Sequence, residues 1–255
     1  MTGLEQLAVL AAGLGAGILT STVGVASLLS FPVLLAVGLP PVVANASNTI
    51  GMTPAGISGS FGYRRELREH PRVTVAVIAT CMVGSVVGAT LLLALPPGLF
   101  EAVVPWLILF TCGLVGAQPR ISAWLRNRKA TDVAAEPRMA MSPITTFFAT
   151  LTGVYGGYFG AGSGVMMLAV LGLGLDLELR ITNALKTLAV LAANVVATVI
   201  FIFAAEVEWA VVALLAAGSV VGGYVGAHIG RRLPPTLFRV LIVCFGVTAS
   251  LIMLL

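Results

Sequence analysis

The chain has 255 residues, 58% of them hydrophobic and only 9% charged, with 29 glycines, 13 prolines and a formal net charge of +4. Soluble domains carry about 25% charged residues, and glycine and proline are commoner in membrane helices than in soluble ones, so this is the composition of a polytopic membrane protein. It excludes a cytosolic enzyme and a nucleic-acid-binding protein, because the positive charge sits in short loops and forms no basic face.

The first ten residues hold Glu5 but no Lys or Arg, so the positive n-region of a cleavable signal is not expected. Two apolar stretches, Leu4 to Leu39 and Met141 to Leu175, are too long for one crossing: each covers about 35 residues, or about 52 Å as a straight helix against a core of about 30 Å. Both are interrupted, the first by Thr20-Ser21-Thr22-Val23-Gly24 and the second by Gly160-Ala161-Gly162-Ser163-Gly164. Each therefore reads as two short helices meeting at a tip inside the membrane. Six further stretches fit single crossings: 41–62, 73–94, 99–117, 181–204, 209–230 and 235–254. Cys81, Cys112 and Cys244 all fall within apolar stretches; they read as small packing residues, with no disulfide framework, metal site or cofactor expected.

The chain repeats itself. A shift of 138 residues aligns 15–49 with 153–187, matching Gly15 with Gly153, Gly24 with Gly162, Asn45 with Asn183 and Thr49 with Thr187. Gly84-Ser85-Val86-Val87-Gly88 recurs as Gly218-Ser219-Val220-Val221-Gly222, and Leu95-Pro96-Pro97 recurs as Leu233-Pro234-Pro235. The expected organisation is a first membrane repeat over 1–117, a cytoplasmic linker over 118–139 and a second membrane repeat over 140–255. If each long stretch enters and leaves on one side, all Arg and Lys other than Lys186 fall on a single side of the membrane, as the positive-inside rule prefers. The repeats are then inverted, each a glycine-broken helical hairpin plus three transmembrane helices. Both termini are expected outside a bacterial inner membrane.

A helix that starts just after Gly24 or Gly164 presents free backbone N–H groups and the positive end of its dipole near the midplane. Broken helices facing one another across an inverted repeat are where transporters hold substrate. Ser21, Thr22, Gly24, Gly160, Gly162, Ser163 and Gly164 are therefore candidate anion-binding residues. After each hairpin comes an Asn-bearing helix, with Asn45, Asn48 and Thr49 in the first half and Asn183, Lys186 and Thr187 in the second. Residues i and i+3 share a helix face. A lysine at mid-membrane costs about 2.5–3.5 kcal/mol on insertion scales, which makes Lys186 a functional candidate; the competing reading is a side chain that snorkels to the interface. None of the ten acidic residues lies mid-span, which argues against a carboxylate proton relay or a carboxylate cation site.

The glycine-interrupted stretch Gly13 to Gly24, Pro32, Pro40-Pro41 with Ala44-Asn45, Tyr155-Gly156-Gly157 with Gly160 to Gly164, and Thr182-Asn183-Ala184 with Lys186 resemble the TauE/SafE family of sulfite exporters and toluene sulfonate uptake permeases. The resemblance covers essentially the whole chain. It implies transport of sulfite, thiosulfate or an organosulfonate, where residue patterns alone give an anion transporter working by alternating access. The expected partners are a small anionic substrate and the lipid bilayer, and a homo-oligomer is compatible with the sequence. An anion channel is the nearest alternative. An intramembrane protease using Ser163 and His228 is a distant one, since Ala161 stands where a GxSG motif needs glycine.

Overall fold

The structure, a computed structural model, describes residues 1–22, 25, 27–61, 63–131, 138–229 and 235–254, without the side chains of 21–22, 58–59, 61, 64–65, 128–131, 226–229 and 235–238. The described residues form helices and no strands: α1 (Gly3–Thr22), α2 (Ser27–Ala36), α3 (Pro41–Phe61), α4 (Arg64–Glu69), α5 (Pro71–Ala94), α6 (Pro97–Thr131), α7 (Pro143–Tyr158), α8 (Ser163–Gly174), α9 (Leu179–Ala204), α10 (Trp209–Ile229) and α11 (Pro235–Leu254). Proline opens α3, α5, α6, α7 and α11, where its missing N–H costs nothing. At α7 the Ser142 hydroxyl caps the helix by accepting from the Thr145 N–H at 3.2 Å.

The second long stretch breaks as the sequence predicts, between α7 and α8; in the first, α1 runs to Thr22 and α2 opens at Ser27, and Val23, Gly24 and Ala26 lie outside the described residues. Two boundaries differ. Helix α8 starts at Ser163, so Gly164 lies inside its first turn, and Gly162 is the N-cap residue with φ 75°. Helix α6 does not stop at 117 but runs to Thr131, through most of the stretch expected to be linker. The extension is held by packing: Leu125 is buried and lies against Gly172 of α8. The short helix α4, absent from the sequence reading, carries Glu66 and Glu69, which bind Arg180 at the start of α9 at 3.0 and 3.1 Å. Arg138 and Asp176 tie the end of the linker to the α8–α9 turn at 2.9 Å.

Most of the helix packing recurs when the two halves are exchanged. Helix α1 packs on α10 as α7 packs on α5, and α3 on α10 as α9 on α5; α1·α2, α2·α3 and α2·α11 have counterparts in α7·α8, α8·α9 and α8·α6. Each hairpin thus lies against the long helices of the other half. Glycines set these contacts. A Cβ on Gly84 or Gly88 of α5 would meet the backbone of Thr150 or Val154 of α7, and one on Gly218 or Gly222 of α10 would meet that of Leu10 or Leu14 of α1. Such small residues let membrane helices approach closely. The same contacts correct the register of the repeat. Gly153 meets Cys81 as Gly13 meets Leu215, and Gly157 meets Ser85 as Gly17 meets Ser219. In α1 and α7 the equivalent of Gly153 is therefore Gly13, two residues earlier than the ungapped alignment places it.

Equivalent helices also cross one another. Thr53 of α3 meets Thr198 of α9 while Gly56 meets Leu191, so these two helices run antiparallel. Ser250 of α11 donates to the Pro105 carbonyl of α6 and Cys112 contacts Val243, again antiparallel. The outer surface is apolar, with Trp106, Phe147, Phe203, Tyr224 and Ile252 exposed, far more than a water-soluble monomer presents. Among the described residues, Gly3–Thr20, Pro71–Ala94, Pro97–Asn127 and Leu179–Ala204 are long and apolar enough to cross a membrane. The polar residues of α3, including Asn45, Ser47, Asn48 and Thr49, lower its mean hydropathy, and they are turned inward: all but Thr49 are fully buried.

Candidate functional site

The second hairpin tip is built by a chain reversal that leaves helix ends facing each other. After Tyr158 the N–H groups of Phe159 and Gly160 both return to the Tyr155 carbonyl, at 2.9 and 3.0 Å. Gly160 and Gly162 then take φ of 82° and 75°, the left-handed region that glycine enters without steric penalty. Ser163 folds back on Gly160, its N–H and its hydroxyl both donating to that carbonyl at 3.2 and 2.8 Å. The Val165 N–H takes the Gly162 carbonyl at 2.9 Å. The Gly164 N–H has no protein acceptor among the described residues, so the first turn of α8 keeps a free donor inside the fold.

Helix α6 grips this tip. The Tyr155 hydroxyl donates to the Ala161 carbonyl at 2.8 Å, and Thr111 Oγ1, 2.8 Å from that hydroxyl, has the Leu107 and Ala161 carbonyls at 2.8 and 3.1 Å as alternative acceptors for its one proton. Sequence patterns missed both residues, because neither Thr111 nor Tyr155 stands out in an apolar helix until the tip is placed beside it. Ser163 also lines a small void together with Cys81, Thr152, Gly153, Gly156, Met167, Ala189, Val190 and Ala193.

Lys186 lies one helical turn before Ala189 and Val190, on the same face, and is half-buried. Among the described residues it makes no hydrogen bond and no ion pair. Its neighbours on α9 are satisfied locally: Asn183 donates to the Leu179 carbonyl at 2.9 Å, and the Thr187 hydroxyl to the Asn183 carbonyl at 2.9 Å.

In the first half, Asn48 is buried and accepts from the Ser30 hydroxyl of α2 at 2.5 Å. Asn45 reaches across to the other half and donates to the Tyr158 carbonyl at 3.0 Å. The Thr49 carbonyl accepts from Thr53 at 2.8 Å. Gly24 and the side chains of Ser21, Thr22 and His228 lie outside the described residues, so the first tip and the Ser163–His228 pairing stay at the level of expectation.

The candidate residues do not converge on one point. Because α3 and α9 are antiparallel about Thr53 and Thr198, Asn45 and Asn48 lie towards one end of the pair and Asn183 and Lys186 towards the other. From the helical rise counted from that crossing, Asn48 and Lys186 are roughly 25 Å apart along it. The candidate residues therefore fall into two groups, one on each flank of the crossing; in the second, Ser163 opens α8 and lines the void that Lys186 precedes by one turn of α9.

Residues 9–253 match the family described as sulfite exporter TauE/SafE. The chain is 26% identical over 254 residues to a probable membrane transporter protein of Haemophilus influenzae, covering 98% of this chain and 96% of that one. It is 25% identical to the probable membrane transporter protein ORF9 of a Sinorhizobium species, over 92% and 87% of the two chains. To the probable membrane transporter protein YfcA of Escherichia coli it is 27% identical, over 86% and 76%. No solved structure matches the chain at a significant level.

Proposed function

This chain belongs to the sulfite exporter TauE/SafE family, a family of membrane transporters, and from that premise we propose that it carries a small sulfur-containing anion (sulfite, thiosulfate or an organosulfonate) across the cell membrane by alternating access. The observation that carries the reading is Lys186. A half-buried ammonium with no protein partner among the described residues, one turn from the void at Ser163, is a charge left for a ligand. The free N–H end of α8 adds a fixed partial positive charge of about one half, and oxyanions bind readily at such helix ends.

Alternating access needs two related halves that open to opposite sides. The exchange symmetry of the packing and the antiparallel course of the equivalent pairs α3/α9 and α6/α11 support inverted repeats related by an axis in the membrane plane. The placement of Arg64, Arg65, Arg68 and Arg72 with the linker arginines supports a cytoplasmic position for those loops.

Reconstitution into liposomes tests the reading. Sulfite, thiosulfate, sulfate, sulfoacetate and taurine are offered in turn, and uptake of at least one of the sulfur anions is expected to saturate and to show counterflow. Conductance that never saturates would make the protein a pore, and no flux of any of these anions would remove the substrate assignment.

A further inference from the structure

Asn45 is 1% exposed, and its two amide atoms have different fates. The Nδ2 donates to the Tyr158 carbonyl at 3.0 Å, which fixes the orientation of the amide, since that carbonyl can only accept. The Oδ1 is buried and has no hydrogen-bond partner among the described residues. Buried acceptors are nearly always satisfied, and an orphan in a dry site costs about 1–3 kcal/mol. The end of α7 is packed in apolar side chains: the ring of Phe159 packs on Phe31 at 5.3 Å and that of Tyr158 on Phe100 at 5.5 Å, and all three phenylalanines are buried.

The end of α7 that the Asn45 amide contacts offers further acceptors. Tyr158 is the last residue of α7. Because Phe159 and Gly160 both bond back to Tyr155, the Gly156 and Gly157 carbonyls receive no hydrogen bond among the described residues. With the Tyr158 carbonyl that Asn45 contacts, they lie at the negative end of the α7 dipole. An anion is repelled by such a group of oxygens, so Asn45, expected from sequence to face the anion, is turned the wrong way for it.

The geometry points to a cation site at the C-terminal end of α7, in which Asn45 Oδ1 and the open carbonyls of Gly156 and Gly157 hold a small monovalent cation of the Na⁺ class. Neutral oxygen donors suit a hard cation. With no carboxylate mid-span, nothing there offsets a double charge. Half-helix C-termini and unwound carbonyls are where broken-helix transporters place coupling ions. One tip then serves both ions, the cation at the end of α7 and the anion at the start of α8, separated by residues 159–162. Cation binding stands on the oxygens alone; its role as the coupling ion rests on the anion-transporter reading above.

The test is the unfolding temperature of the purified protein in detergent, titrated with NaCl against choline chloride at constant total chloride. The wild type is expected to shift upward saturably with Na⁺. Asn45→Asp, which adds a carboxylate to the site, is expected to lower the half-saturating Na⁺ concentration about tenfold, as ligand charge tunes cation sites, and Asn45→Leu to abolish the shift. If Asn45→Leu does not fold, the Asp variant decides. No Na⁺-dependent shift in the wild type, or the same half-saturation in wild type and Asn45→Asp, overturns the site and leaves the oxygen with an ordered water only. A sulfite-induced shift without any Na⁺ response overturns the cation site while sparing the anion reading. A Na⁺ response with no response to any sulfur anion supports the site and removes the coupling role.

Discussion

The hydroxyls of Thr53 and Thr198 lie 2.9 Å apart, joining the equivalent helices α3 and α9 where they cross. This contact puts Asn48 on one flank of the crossing and Lys186 on the other, so the polar segments that follow the two hairpins lie apart along the helix pair.

Lys186→Gln is expected to weaken anion affinity tenfold or more, on the order of 1.4 kcal/mol, while the protein still folds, because the amide fills a similar volume. Lys186→Arg is expected to retain part of the affinity, since the charge remains but a flat fork replaces a compact donor. Ligand-dependent thermal shifts on the two variants measure this directly. Equal affinity in wild type and Lys186→Gln would make Lys186 a snorkelling residue.

Gly162 combines a left-handed φ of 75° with a Cβ position 2.5 Å from the Thr111 methyl. Gly162→Ala is expected to lower the unfolding temperature and to slow transport, with the backbone alone costing about 1–2 kcal/mol. Adding Thr111→Ser removes the methyl and keeps the hydroxyl beside the Ala161 carbonyl. The double variant is expected to recover the packing part of the loss and none of the backbone part. Full recovery would mean that the φ at 162 is not a constraint.

A Cβ on Gly88 would lie 2.0 Å from the Val154 carbonyl oxygen, and one on Gly222 would lie 2.0 Å from that of Leu14. Alanine at either place forces two backbones apart, and a loss of about 1–3 kcal/mol is expected from overpacking. Gly113, in α6, has open space around its Cβ position, so Gly113→Ala is expected to be neutral or to stabilise by about 0.5–1 kcal/mol. Unfolding temperatures in detergent rank the three. A Gly88→Ala variant as stable as Gly113→Ala would contradict the close α5/α7 contact.

Single cysteines at Arg72 and Glu206, in a background lacking Cys81, Cys112 and Cys244, report the topology. An impermeant thiol reagent added to intact cells is expected to label the Glu206 position and to reach the Arg72 position only after the cells are opened. Labelling of both from one side would mean parallel halves, and the inverted-repeat reading would fall.

Much of the architecture is decided within the sequence, because a bilayer constrains segments one at a time: each crossing must be apolar and of fixed length, and every backbone group must find its partner nearby. The two over-long stretches, their glycine breaks and the recurring Gly-Ser-Val-Val-Gly motif are therefore visible as strings, as is Lys186 as a lone basic residue in an apolar run. Tertiary structure decided what depends on distant segments meeting. The two-residue offset between α1 and α7 shows only in which backbones their glycines touch. The extension of α6 depends on Leu125 finding Gly172. The separation of Asn48 from Lys186 follows from the antiparallel crossing at Thr53 and Thr198. Asn45 reads in sequence as a candidate anion-binding residue of α3; its character as an acceptor comes from the Tyr158 carbonyl, 113 residues away, which takes its N–H and leaves its oxygen without a partner among the described residues.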